Sequence, residues 1–344
     1  MEIPVTAGKI HNKLIVVFLL VIVLLFQKIS VSADNPGYFY TPNTLVHFAG
    51  FDMLTLSDEP LGDFTTLTIP LKRAGKLFLI EAKIDGQVGN LIFDTGASGL
   101  VLNKTYFRKY TGIEKAAGGG ITGASDKIYR IVINRIDISG LYYQNISADL
   151  TDLGHIENRR GVKVLGLFGL NMITNFEVIF DANNNELQLN RIDKQGNRVN
   201  SETTALKYDF TQRMETNNGI MLIKGKIGDK VLNFCLDTGA ECNVISSGVS
   251  KKVMNTIQIN RRSDMKGSGS ASVEVLYGTM KEFEFGRHQF GSMETVVTSL
   301  CDINDAYGCT LDGLLGYDFW QKGIFCFNFR KNEISFSLWK GDKK

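Results

Sequence analysis

The chain writes one 28-residue stretch twice. Shifted by 143 positions, residues 76–103 lie over residues 219–246 without a gap, and 11 of the 28 pairs are identical. The matches include Leu79/Leu222, Ile80/Ile223, Lys83/Lys226, Ile84/Ile227, Val88/Val231, Asn90/Asn233 and Val101/Val244. At their centre Asp94-Thr95-Gly96-Ala97 recurs as Asp237-Thr238-Gly239-Ala240, each copy behind three apolar residues. A second matching pair, Gly166-Leu167-Phe168-Gly169 and Gly313-Leu314-Leu315-Gly316, follows at a shift of 147. Solenoid periods run about 20 to 50 residues, so a repeat this long is a duplicated domain. A chain of 344 residues has room for the two cores that duplication requires.

Each copy reads as β-structure. Short runs rich in β-branched and aromatic residues, bounded by turn residues, predict strands at 64–71, 77–84, 90–93, 99–102, 128–133 and 135–138. The second half predicts strands at 206–210, 221–227, 231–236, 243–245, 271–276, 279–285 and 294–298. A strand-turn-strand pattern closes each half, at 176–189 and 324–336, and short helices are expected at 104–111, after Gly169 and after Gly316. The expected fold class is all-β, with two homologous lobes. The boundaries follow as a targeting segment at 1–33, an N-terminal added strand or propeptide at 34–63, a first lobe at 64–195, a polar linker at 196–205 and a second lobe at 206–344.

The first 33 residues differ in character. Lys9 and Lys13 precede the apolar run 14–26, and Val31-Ser32-Ala33 supplies a cleavage site, in the order of a secretory signal. Thirteen apolar residues are short for a spanning helix, which needs about 20. The chain is therefore expected to be secreted or periplasmic, meeting a membrane only if the signal stays as an anchor. Removing those residues takes the net charge from +2 to zero, so no nucleic-acid surface is expected. The run Arg159-Arg160-Gly161-Val162-Lys163 reads as solvated charge. All five cysteines fall in the second half; Cys301 and Cys309 are the expected disulfide, while Cys235 and Cys242 read as small buried apolar residues. The scattered histidines and the lack of a CxxC spacing give no metal site.

The chemistry lies in the tetrapeptides. Three apolar residues place each aspartate at the end of a buried strand, where a lone carboxylate is costly to ionise. Gly96 and Gly239 allow a sharp turn that brings backbone N–H groups to the carboxylate. Thr95 and Thr238 can fix the geometry through their hydroxyls. If Asp94 and Asp237 meet between the lobes they share one proton, so that one can act as base on a water while the other donates.

At these residues the chain resembles the pepsin-like and retropepsin-like aspartic proteases, and most of all the bacterial retropepsin-like aspartyl proteases. The elements Leu167-Phe168-Gly169 and Leu314-Leu315-Gly316 match the family's hydrophobic-hydrophobic-glycine support beneath each aspartate. The resemblance covers about residues 64 to 338. It implies a bilobal aspartic-protease fold of closed-barrel-like β lobes with the active-site cleft between them. It also implies hydrolysis of an extended peptide or protein substrate by Asp94 and Asp237, with no cofactor or metal, in a monomer acting as an intramolecular pseudo-dimer. Thr95, Gly96, Thr238 and Gly239 would support the catalytic loops. Ala97 and Ala240 stand where pepsin-like relatives carry a hydroxyl, which implies a dyad titrating higher than theirs. Ser98 and Glu241 occupy positions where retropepsins often hold a substrate-binding acid, and Gly119, Gly120, Gly267 and Gly269 lie in candidate flap loops. The alternative is a catalytically silent peptide-binding or inhibitor-like protein of the same fold.

Overall fold

A computed structural model describes residues 59–115, 119–120, 123–124, 128–200, 207–266 and 272–339. The apolar strands of the repeat pack into two β lobes. In Leu77–Ile84 the first four residues are buried and the rest alternate, as expected for a strand that leaves a covered face for a barrel wall. That strand, Gln87–Phe93, Val164–Phe168, Leu100–Asn103, Leu141–Thr151 and Ile128–Ile138 are hydrogen-bonded in that order. The ring closes where Lys83 and Ile84 face Asp137 and Ile136.

The second lobe follows the same order with Ile220–Ile227, Lys230–Leu236, Gly313–Leu315, Asn243–Ser246, Met293–Thr298 and Ser272–Met280. Here the counterpart of Ile128–Ile138 breaks after Met280 and resumes as Phe283–Phe285. The closing contact shrinks to one residue pair, Lys226 with Glu284, leaving a half-barrel. The fold is thus mostly β and bilobal, with one closed and one half-open lobe.

A six-stranded sheet joins the lobes. Its order is Thr66–Pro70, Glu186–Arg191, Phe176–Asp181, Gly323–Asn328, Glu333–Leu338 and Phe210–Arg213. The central pair, Phe176–Asp181 against Gly323–Asn328, brings Ile179 opposite Cys326 and stitches one half of the repeat to the other. Asn185 (φ 56°) and Asn332 (φ 54°) make the turns of the two strand-turn-strand units, in a left-handed conformation that asparagine tolerates. Beneath the sheet Phe180 and Trp320 meet edge to face at 5.5 Å, and Trp320 meets Phe325 at 4.8 Å. One continuous buried cluster runs through both lobes.

Several expected elements are corrected. Residues 104–111 form turns rather than a helix, because Asn103 accepts from Thr105 N–H through its side chain and from Tyr106 N–H through its carbonyl. The two strands expected at 128–133 and 135–138 are one, and residues 207–209 precede a strand that starts at Phe210. Leu141–Thr151 and Ile257–Lys266 are strands, and Gly154–Arg160 and Cys301–Tyr307 are helices, none of them expected. Cys301 and Cys309 are free thiols at the start and just past the end of helix Cys301–Tyr307, not a disulfide. Cys235 and Cys242 are buried, as expected. Near the expected linker, Ile192 bridges Arg198 around a turn held by the Asp193 carboxylate. The expected targeting segment 1–33, most of the N-terminal segment and the tail 340–344 lie outside the described residues.

Candidate active site

Each aspartate loop is held from below by its own hydrophobic-glycine element. Val164–Phe168 threads between Gln87–Phe93, to which it is parallel, and Leu100–Asn103, to which it is antiparallel. Gly313–Leu315 does the same between Lys230–Leu236 and Asn243–Ser246. Phe168 O accepts from Asp94 N–H at 3.1 Å, and Leu315 O accepts from Asp237 N–H at 3.0 Å. The glycine that follows is obligatory: a Cβ on Gly316 would meet the carbonyls of Ala240 and Cys242 at 2.6 Å. The matching blocks of the sequence are therefore the fastening of the strands that carry the aspartates.

The two loops grip one another. Thr95 N–H donates to Thr238 Oγ1 and Thr238 N–H donates to Thr95 Oγ1, both at 3.0 Å. Each hydroxyl then donates across the lobe boundary at 2.8 Å, Thr95 to Leu236 O and Thr238 to Phe93 O. Four buried hydrogen bonds thus fix the spacing of the loops.

Between them sit the carboxyls. Asp94 Oδ1 accepts from Gly96 N–H at 2.9 Å and Ala97 N–H at 3.2 Å; Asp237 Oδ1 accepts from Gly239 N–H at 2.8 Å and Ala240 N–H at 3.0 Å. Each glycine faces the opposite aspartate. A Cβ on Gly96 would stand 2.7 Å from the Asp237 carboxyl carbon, and one on Gly239 would stand 2.5 Å from that of Asp94. The two Oδ2 atoms are buried and take no donor from any other described residue, and the two carboxyls are hydrogen-bond partners of each other. Burial raises Asp94 from 3.8 to about 6, against the pull of the backbone N–H groups. Burial and then the Asp94 charge push Asp237 well above the ordinary carboxylate range. Two such groups hold one proton between them across weakly acidic conditions, the behaviour for which aspartic proteases are the standard example. Ala97 and Ala240 are buried and add no hydroxyl that could stabilise a second charge.

The outer shell holds residues that motif reading alone does not find. Trp320 Nε1–H donates to Asp237 O at 3.1 Å. Tyr307, on helix Cys301–Tyr307 of the second lobe, reaches into the first and donates its hydroxyl to Gly96 O at 2.6 Å. Its repeat partner at a shift of 147 is Arg160, on helix Gly154–Arg160 of the first lobe, and Arg160 crosses the other way to pair with Glu241. The signal was present in the sequence: Ile156/Ile303 and Gly161/Gly308 match at the same shift, the glycines being left-handed helix ends at φ 64° and 61°. Arg160 is therefore no solvated charge. Glu241, expected to meet substrate, is buried and held by Arg160, and Ser98, its repeat partner, is covered by Gly219.

The candidate flap residues Gly119 and Gly120 form a hairpin, Gly119 opposite Ala124 and Gly120 opposite Gly123, that packs against helix Cys301–Tyr307 of the other lobe. Gly267 and Gly269 lie outside the described residues, in the sequence between strands Ile257–Lys266 and Ser272–Met280.

Two duplicated β lobes, each offering one buried aspartate on a glycine turn to a shared centre, define the aspartic-protease architecture. The family model described as aspartyl protease matches residues 80–172 and again 223–319, one match per lobe, and the chain belongs to that family. No curated protein matches it.

Proposed function

We propose that this chain is an exported aspartic endopeptidase that hydrolyses peptide bonds between Asp94 and Asp237. The observation that carries the reading is the pair of buried carboxyls brought together by the threonine grip, both pushed upward by burial. In the singly protonated pair one carboxylate takes a proton from an attacking water while the other carboxyl donates to the carbonyl oxygen of the scissile bond. The resulting tetrahedral species collapses as the proton passes to the leaving amine. Neither a covalent intermediate nor a cofactor enters this scheme. Membership of the protease family and the presence of an aspartate in each lobe support it.

Export rests on the basic, apolar and small-residue order of residues 1–33, and the proposed mature chain begins near Asp34. With both aspartates on one chain, the proposed working unit is a monomer. The test is incubation of residues 34–344 with a denatured protein from about pH 3 to pH 8, the span of carboxylate titration in such a pair, with product termini mapped by mass spectrometry. Internal cleavage is expected. Saturable peptide binding without any product would instead identify a silent binding protein.

A further inference from the structure

Each lobe holds a smaller apolar cluster beside the main core, and the two clusters correspond position by position. Leu77, Val101, Ile156 and Leu167 in the first match Ile220, Val244, Ile303 and Leu314 in the second, at shifts of 143 and then 147. At two matching places the chemistry differs. Ile92, with Val162 packed against its cluster, becomes Cys235, with Cys309 packed against its cluster. An aliphatic pair in one lobe is thus a thiol pair in the other, both thiols being free in this structure.

Strand register places the two cysteines on one side of the sheet. Cys235 stands directly opposite Leu222, so their side chains share a face, and Asn233, two residues back, projects the same way. Leu222, Asn233 and half-buried Cys309 together line a cavity of about 520 Å³. The segment after Cys309 is tied to this strand: Asp312 N–H donates to Asn233 O at 2.9 Å, and Asn233 N–H donates to Asp312 Oδ2 at 2.8 Å. Burial holds the Cys235 thiol well above its ordinary value, and the charges of Asp237 and Cys309 add to that, so the two sulfurs lie within electrostatic reach. The other thiols stand apart. Cys301 is exposed at the far end of helix Cys301–Tyr307, on the order of 10 Å from Cys309 by helical rise, beyond the span of a disulfide. Cys326 stands opposite Ile179 in the shared sheet, and the charges that act on Cys242 are Lys76, Asp318 and Glu294 rather than a second thiol.

We propose that Cys235 and Cys309 are a disulfide-forming pair, closed by a small-molecule disulfide that enters through the cavity at Cys309. The Cys309 thiolate attacks that disulfide, forming a mixed disulfide and releasing one thiolate. The Cys235 thiolate then attacks the Cys309 sulfur, closing the protein bond and releasing the second. Two protein thiols lose two protons and two electrons, and the oxidant, a disulfide such as oxidised glutathione, becomes two thiols. The bond ties two parts of the site together. Cys309 directly follows Gly308, the left-handed end of the helix whose Tyr307 holds Gly96 O, and Cys235 lies two residues before Asp237. Closing it pins that helix to the strand that carries the aspartate, and it restrains the long loop from residue 235 to residue 309 in the unfolded chain. Such a bond persists in an oxidising exterior, which agrees with the proposed export.

The test treats the reduced chain with oxidised glutathione at about pH 8, both as the folded protein and during refolding, where thiolate is available for attack. Digestion without reductant and mass spectrometry follow. A peptide holding Cys235 joined to one holding Cys309 is expected, two hydrogens lighter than the separate pair, with the other three cysteines left to alkylate. The melting temperature should rise by about 5 °C or more on oxidation and fall back when dithiothreitol is added. Cys309→Val, which supplies the residue of the other lobe, should abolish both the joined peptide and the rise. Five thiols still free in both preparations, a lasting glutathione adduct on Cys309, or Cys309 joined to any other cysteine would overturn the proposal. A joined peptide without any rise in melting temperature would overturn the fastening of the helix. No readout here uses cleavage, so the pair stands or falls apart from the peptidase reading.

Discussion

At Thr95 and Thr238 a single hydroxyl does two jobs, accepting one buried N–H and donating to one buried carbonyl on the opposite lobe. Replacing Thr238 by Val strands the partners of both bonds. We expect a stability loss of about 2–4 kcal/mol, read by denaturant melting, because each buried group left without a partner costs about 1–3 kcal/mol. Little change would show that the grip is dispensable. The aspartates carry the opposite sign. A carboxyl whose folded pKa is raised, as Asp94 is from 3.8 to about 6, holds its proton more tightly in the folded state. Stability is then full below the unfolded value and falls as pH rises through the folded one. Asp237, raised further, extends the fall to higher pH. The melting temperature should drop between about pH 4 and pH 7, and the drop should shrink in Asp237→Asn. The same titration predicts that cleavage rises as the pair loses its first proton near pH 6; a rate already maximal near pH 3, in the ordinary carboxylate range, would contradict the raised dyad.

Among the elements, helix Cys301–Tyr307 shows how one lobe tunes the other. Removing the Tyr307 hydroxyl leaves Gly96 O without a buried donor, so Tyr307→Phe should cost about 1–3 kcal/mol and lower kcat more than it changes KM. A melting curve and rate both unchanged would remove that helix from the catalytic account. The helix also marks a limit of sequence reading. Strand Leu77–Ile84 and the two tetrapeptide loops are legible because local apolar patterning and the repeat agree on them. Leu141–Thr151 is obscured by Asn145, whose positive φ of 50° sits where the register passes from Gln144 opposite Arg135 to Ile146 opposite Ile133, interrupting the alternation. Ile257–Lys266 runs through Asn260-Arg261-Arg262-Ser263 because residues 258–262 are exposed and need no apolar face there. Arg160, Tyr307 and Trp320 act on residues between 81 and 211 positions away, a link that no local pattern encodes.

For the whole molecule, the shared sheet decides how the lobes behave together. Phe176–Asp181 pairs with Gly323–Asn328, and the aromatic contacts beneath it join Phe180 of one half to Trp320 of the other. Neither half keeps a complete core without its partner, so heating should give one cooperative transition by circular dichroism and calorimetry alike. Two separated transitions would mean that the lobes fold independently. The half-open second barrel shows that duplication was followed by divergence away from the centre, while the grip kept its symmetry. The central claim is that both lobes build one site. Its most direct test is peptide cleavage by the monomeric chain with Asp94→Asn and Asp237→Asn made one at a time. Each single variant should lose activity by about a thousandfold or more while keeping its fold. Half or more of the wild-type rate surviving in either variant would contradict a shared dyad.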